Sequence, residues 1–117
     1  MPHQIAGRRL GRASDHRMHM LANLAVAVLR YEKVKTTEAK AKEVRGIVDR
    51  MITTAKRGDL ASRRALVAQL PAEPLIVEKL MGELADKYAD RTSGFTRIVK
   101  IGPRLGDSAP IVQIELV

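Results

Sequence analysis

The sequence predicts an α+β domain of two layers, in which helices pack on a small, mostly antiparallel sheet. Apolar residues recur at helical spacing in four segments, a short alternating segment separates the first two of these, and two segments rich in β-branched residues lie near the carboxyl end. The predicted order is therefore one helix, one strand, three helices and two strands. A chain of 117 residues has the length of one domain. We expect a single globular domain over residues 14–117, preceded by an extended basic arm over residues 1–13.

The first half of the predicted domain contains two helices joined by a strand. Leucine, alanine and valine recur at spacings of three and four within Ser14–Tyr31, which predicts a helix there. Residues 33–36 alternate lysine with smaller side chains, which is typical of a short strand. Thr36 or Thr37 is placed to cap a second helix, and Gly58 is its natural end.

The second half contains two further helices and a hairpin. Asp59 is predicted to cap a third helix that ends near Gln69, and a fourth is predicted from Pro74 to Tyr88. The buried candidates of this fourth helix are Leu75, Leu80, Met81 and Leu84. The β-branched segments 95–101 and 111–117 flank a loop that contains glycine and proline, which predicts a terminal antiparallel hairpin.

The distribution of charge indicates a polyanionic partner. Residues 1–64 contain 15 Lys and Arg against 6 Asp and Glu, whereas residues 65–117 contain 6 against 7. A positive field on one part of a protein attracts polyanions, and nucleic acid is the partner that it favours most. Acidic proteins, anionic lipids and a basic surface that serves only solubility are the alternatives.

Residues for catalysis, metal binding or membrane insertion are scarce. The absence of cysteine excludes disulfides, thiolate zinc sites and a cysteine nucleophile. His16 and His19 are three residues apart, but no further ligands accompany them, so we expect no metal and no cofactor. A small hydrolase that uses one of these histidines with an acidic partner is a remote alternative. We therefore expect no enzyme activity, no small-molecule substrate and no membrane segment.

The basic arm is the first candidate site for RNA. Arg8, Arg9 and Arg12 carry planar guanidinium groups that can bind phosphate oxygens in pairs. Gly7 and Gly11 permit tight turns and close approach of the backbone. The alternative is a disordered tail with no binding role.

The predicted strand and the second helix carry the other candidates. Lys33 and Lys35 share the face of the strand opposite Val34. Thr36 and Thr37 bring hydroxyl groups and free backbone amides to the start of the second helix, which is a common anion site. Further basic residues predicted to extend this surface are Arg17, Lys40, Arg45, Arg63 and Arg64.

The chain resembles the bacterial large-subunit ribosomal protein seventeen family over essentially its whole length, and five stretches carry the resemblance. They are GRRLGRASDHR, LANLAVAVLRYEKVKTTEAKAKEVR, ITTAKRGDL, RTSGFTRIVKIGPRLGD and APIVQIELV. The family usually has a basic residue after the initiator methionine, whereas this chain has Pro2.

The resemblance implies a cytoplasmic, structural constituent of the large ribosomal subunit that binds large-subunit ribosomal RNA beside neighbouring ribosomal proteins and supports assembly and translation. The RNA contacts that it implies by position are His3, Arg8, Arg9, Arg12, His16, Arg17, Lys35, Thr36, Thr37 and Lys40. We expect recognition of the phosphate backbone and of RNA shape, without base specificity. The alternative is a DNA-binding architectural or regulatory protein that reads duplex DNA with its second helix.

Overall fold

The computed structural model describes residues 14–117, and its order of elements confirms the predicted α+β fold. The elements are α1 (Ser14–Tyr31), β1 (Lys33–Thr37), α2 (Glu38–Arg57), α3 (Leu60–Gln69), α4 (Pro74–Lys79), a π-helical turn (Leu80–Leu84), α5 (Ala85–Lys87), β2 (Thr96–Pro103) and β3 (Pro110–Leu116). The predicted arm, with His3, Arg8, Arg9 and Arg12, lies outside the described residues.

The last strand in sequence is the central strand of the sheet. The spatial order is β1-β3-β2, and β3 is antiparallel to both neighbours. Lys33 lies opposite Glu115 in the β1–β3 pair, and Arg97 lies opposite the same residue in the β2–β3 pair. A β-bulge between Lys100 and Gly102 shifts the register of the hairpin. The hairpin was therefore predicted correctly, whereas the place of β1 beside β3 was not specified by the sequence pattern.

The core lies between the helices and one face of the sheet. Val112, Ile114 and Leu116 of β3 are buried and alternate with half-buried Gln113 and Glu115. The helical partner of this sheet face includes the stripe of α2, which consists of Ala41, Val44, Val48, Met51, Ile52 and Ala55. Burying apolar area on one face of each element is the main stabilising contribution to a two-layer fold.

Local backbone chemistry ends α2 and begins α3 as predicted. Gly58 has φ 71° in the left-handed region, and its N–H donates to the carbonyl oxygen of Ala55 at 3.1 Å. The carboxylate of Asp59 accepts a hydrogen bond of 2.8 Å from the amide of Ser62 and so caps α3. Thr37 occupies the capping position of α2, but its hydroxyl forms no capping hydrogen bond, so only the position was predicted correctly.

The fourth predicted helix differs in two respects. Its middle is a π-helical turn, and Leu75 is 80% exposed where a buried residue was expected. The core positions of this segment begin with Ile76 and Val77, which are both buried, and continue through Leu80 and Leu84. Because each helical residue is rotated by about 100° from the one before it, Leu75 falls outside the stripe centred between Ile76 and Val77.

A polar contact joins α2 to β2 at the margin of the core. The hydroxyl of Thr96 donates to Asp49 Oδ1 at 3.3 Å. Burial nevertheless raises the pKa of Asp49 above its usual value of 3.8, because desolvation outweighs this hydrogen bond and the nearby charge of Arg45. A raised pKa in the folded state means that stability falls as the pH rises from about 4 through that pKa.

Two aromatic residues fill the space beside this contact. Phe95 is fully buried, and its ring centroid lies 5.2 Å from that of Tyr88. The ammonium group of Lys56 lies 5.2 Å from the same Phe95 centroid and donates to a backbone carbonyl. Phe95 therefore anchors the start of β2 to α2 and α5.

Candidate nucleic-acid interface

Six cations of the described chain are held in ion pairs between distant residues or within the hairpin loop. Arg30 pairs with Glu73 at 2.5 Å, Arg63 with Glu78, Lys79 with Glu32 at 3.2 Å, Lys87 with Glu32 at 3.6 Å, Arg97 with Glu115 at 2.5 Å, and Arg104 with Asp107 at 2.5 Å. The guanidinium of Arg104 lowers the pKa of Asp107 to about 2, and that of Arg97 lowers the pKa of Glu115. Exposed pairs of this kind stabilise a fold only slightly, but they leave each cation less available to a phosphate.

A second group of cations forms no ion pair within 4 Å with any acidic side chain between residues 16 and 117. Its members are Lys33, Lys35, Lys40, Arg45, Arg50, Lys56, Arg57, Arg64, Arg91 and Lys100. Seven of these ten lie in β1 and α2, between Lys33 and Arg57. The available positive charge of the described chain is therefore concentrated on two consecutive elements.

The strand β1 presents its two lysines to solvent. Lys33 and Lys35 are exposed, and Val34 between them is half-buried against the core, as predicted. Lys33 lies opposite Glu115, whereas Lys35 lies opposite the neutral Gln113. Lys35 is therefore the lysine of this strand with the least competition from a carboxylate on the neighbouring strand.

The start of α2 combines the predicted groups with a carboxylate. Thr36, Thr37 and Lys40 are half-buried, and Glu38 opens the helix and pairs with Lys42 at 2.9 Å. An acidic residue in the first turn is favourable for the helix dipole. It also competes with an external anion for the same backbone amides, so the anion site at this position stays a prediction.

Lys100 is a cation at this end of the fold that the sequence analysis did not single out. It lies opposite Val112, which in turn lies opposite Thr36, so the three residues form one row across the sheet. Lys100 and Glu38 line the same hollow of about 340 Å³. This placement of Lys100 could not be predicted from the sequence because it depends on β3 lying between β1 and β2.

The groove between α1 and α2 collects a different set of basic residues. Arg17 is only 9% exposed and lines a hollow of about 330 Å³ together with Lys42, Arg50 and the acidic Glu43. His16 is exposed and lines a neighbouring hollow with His19. The structure thus places Arg17 in a groove beside two cations and one carboxylate of α2, whereas it was predicted to lie on an open surface.

The remaining predicted residues do not join the β1 surface. Arg45 follows Lys40 by five residues, which places it about 140° away around α2, and its charge acts on Asp49 one turn later. Arg63 is paired with Glu78, whereas Arg64 is exposed without an ion pair in the described chain. Both arginines belong to α3, which begins at the far end of a helix about 30 Å long. The predicted continuous surface is therefore divided.

Residues 14–117 contain neither a candidate metal site nor a candidate membrane-spanning helix. No three His, Asp or Glu side chains of this part of the chain come together in a group able to hold a metal ion. None of its helices combines the length and the apolar character that crossing a membrane requires.

The chain is similar to known proteins of one family. Residues 20–117 match the family described as Ribosomal protein L17. The chain is 53% identical to large ribosomal subunit protein bL17 of Desulfitobacterium hafniense over 113 residues, which are 97% of this chain and 100% of that protein. It is 56% identical to the protein of that name from a Thermoanaerobacter species over 110 residues, 94% of this chain and 97% of the relative. The chain belongs to the ribosomal protein L17 family.

Membership of the L17 family confirms several of the predictions. The chain is a structural protein of the large ribosomal subunit and not an enzyme, and its location is the cytoplasm, within the ribosome. A third relative, large ribosomal subunit protein bL17 of Syntrophotalea carbinolica, is 51% identical over all 117 residues of this chain and 75% of its own length. The alternative of a DNA-binding protein has no support from these matches.

Proposed function

We propose that this L17 protein binds large-subunit ribosomal RNA through phosphate contacts made chiefly by Lys33, Lys35 and Lys40, and that this binding supports assembly of the subunit. We call these three residues the β1–α2 lysines. The observation that carries the proposal is the division of the cations, because the β1–α2 lysines lack ion pairs within the described chain while six cations elsewhere pair with carboxylates.

The chemistry of the surface favours the phosphate backbone over the bases. Lysine ammonium groups bind phosphates as point charges and carry little sequence information. The chain has three aromatic residues, and two of them, Tyr88 and Phe95, are buried in the core. Tyr31 is the only aromatic side chain exposed in the described residues, so a platform on which several bases stack is absent from them.

The proposal extends to the groups that the sequence places around this surface. Arg17 with Lys42 and Arg50 in the α1–α2 groove, and the exposed His16, would contact RNA near the start of α1. The arm residues His3, Arg8, Arg9 and Arg12 precede that helix and would add further phosphate contacts. Arg45, Arg63 and Arg64 would act as separate, weaker sites.

Competitive incorporation in cells tests the proposal. A tagged variant with Lys33→Gln, Lys35→Gln and Lys40→Gln is expressed beside the wild type, and its share of the large subunits is measured after sucrose-gradient sedimentation. We expect that share to fall severalfold because three phosphate contacts are lost. The matched control, Arg30→Gln with Lys87→Gln and Arg97→Gln, removes the same charge from cations that pair with carboxylates, and it should retain most of its occupancy. Equal occupancy of the two variants would contradict the proposal.

A further inference from the structure

The loop between β2 and β3 presents an apolar tip to solvent. Leu105 in this loop is 98% exposed, which is the greatest exposure of any large hydrophobic residue among those described. Val99 and Ile101 of the adjoining strand β2 are 41% and 50% exposed. We call these three residues the hairpin-tip patch. Single exposed leucines are common, but several exposed apolar side chains on one hairpin can form an interaction site.

The loop holds Leu105 in a defined position. The backbone amide of Arg104 donates to the carbonyl oxygen of Ala109 at 2.7 Å, and that of Ser108 donates back to Arg104 at 3.0 Å. The carboxylate of Asp107 accepts from Arg104 Nε at 3.0 Å and from the amide of Ala109 at 3.1 Å. Because the loop backbone is already fixed, little conformational entropy would be lost when Leu105 enters a partner.

The charge of the hairpin tip distinguishes it from the RNA-facing surface. Within residues 101–111 the only charged side chains are Arg104 and Asp107, and they neutralise each other. The tip is therefore neutral in a chain whose net charge is +8. A neutral apolar projection gains little from phosphates, whereas burial in an apolar cleft of a protein is favourable.

The same division crosses the exposed face of the sheet. Lys35 on β1 and Val99 on β2 both lie opposite Gln113 of the central strand, one on each side of it. In this row the β1 edge carries a cation without an ion pair and the β2 edge carries an apolar side chain, whereas Arg97 and Lys100 lie in other rows of β2. From the apolar end of this row and the neutral tip, we infer that Leu105 inserts into an apolar cleft on a neighbouring protein of the large subunit. The inference rests on the proposed function, because that function places RNA on the β1 side of the sheet.

Photo-crosslinking within purified large subunits tests the inference. A benzophenone amino acid replaces Leu105 in one variant and Leu75 in a control variant, since Leu75 is an equally apolar side chain that is 80% exposed on α4. After irradiation and digestion with ribonuclease, we expect position 105 to form an adduct with one ribosomal protein, and position 75 not to form that adduct. An adduct of position 105 with RNA, an adduct with a second copy of this chain, or no adduct from subunits that contain the variant would each overturn the inference.

A second measurement decides the matter if the crosslinking variant is not incorporated. Leu105→Asp should lower occupancy in competition with the wild type by about tenfold, which is the effect of losing one buried leucine side chain, whereas Leu105→Met should stay within about twofold. Neither change should alter the thermal midpoint, because Leu105 contacts no core residue in its exposed position. Wild-type occupancy of Leu105→Asp would overturn the inference and leave the proposed RNA binding untouched. Failure of the wild type to bind ribosomal RNA would instead overturn the proposed function.

Discussion

Replacing the β1–α2 lysines with glutamine should weaken the salt dependence of RNA binding by a calculable amount. Lys33, Lys35 and Lys40 have no ion pair with an acidic group of the described residues, so we count each as one phosphate contact. Each phosphate that a protein neutralises contributes about 0.7 to 0.9 to the slope of log affinity against log salt. The triple glutamine variant should therefore flatten the slope by about 2.1 to 2.7.

The difference is large enough to measure in an ordinary titration. When the salt concentration rises from 50 to 200 mM, the affinity of the wild type should therefore fall about 20- to 40-fold more than that of the variant. The assay is fluorescence anisotropy of the full-length labelled protein with isolated large-subunit ribosomal RNA at a series of salt concentrations. Lys35→Gln alone should account for about 0.7 to 0.9 of the change.

The control separates individual contacts from net charge. Arg30→Gln with Lys87→Gln and Arg97→Gln gives a protein of the same net charge, but each of these cations already pairs with a carboxylate. We expect its slope to change by less than about 1. If both variants flattened the slope equally, the general field of the protein would explain binding, and the reasoning from ion pairs would be refuted.

Three further predictions concern the arm, the polar contact of Asp49 and the core. Deletion of residues 1–13 should leave the circular dichroism and thermal midpoint of the domain unchanged within a few degrees while lowering incorporation into the subunit; normal occupancy would count against a role for the arm. Asp49→Asn removes a carboxyl whose pKa is raised by burial. The free energy of unfolding of this variant, relative to that of the wild type, should therefore increase as the pH rises from about 4 and then become constant. Urea titrations from pH 3 to 8 measure this difference, and a difference independent of pH would contradict the prediction. Phe95→Ala should lower the free energy of unfolding by about 3 to 5 kcal/mol, because the ring is fully buried against Tyr88, and a loss below about 1 kcal/mol would show that the site is loosely packed.

Features that depend on neighbouring residues in the chain were predictable from the sequence. The bounds of α1 follow from the spacing of its apolar residues, and the junction of α2 and α3 follows from Gly58 and Asp59. In each case the deciding interaction spans four residues or fewer, as in the hydrogen bond between Asp59 and Ser62. Local backbone chemistry of this kind depends little on how the elements pack together.

Features that depend on packing were not predictable. The pairing of Arg63 with Glu78 requires α3 and α4 to pack side by side, and it makes one predicted RNA contact less available. The alignment of Lys100 with Thr36 requires β3 to lie between the other strands. Periodicity identifies which residues favour a helix or strand, but it does not specify which elements are adjacent or which carboxylate meets which cation.

The central position of β3 has a consequence for protein synthesis. The residues that β1 pairs with follow it by 74 to 82 positions, from Thr37 with Ile111 to Lys33 with Glu115. While the chain is being made, the helices can form from local contacts, but β1 has no neighbour until β3 leaves the ribosome. Lys33 and Lys35 are therefore held on one rigid surface only after translation of β3. A nascent chain interrupted before that point would carry the same charges in an unpaired segment and would bind RNA with less geometric selectivity.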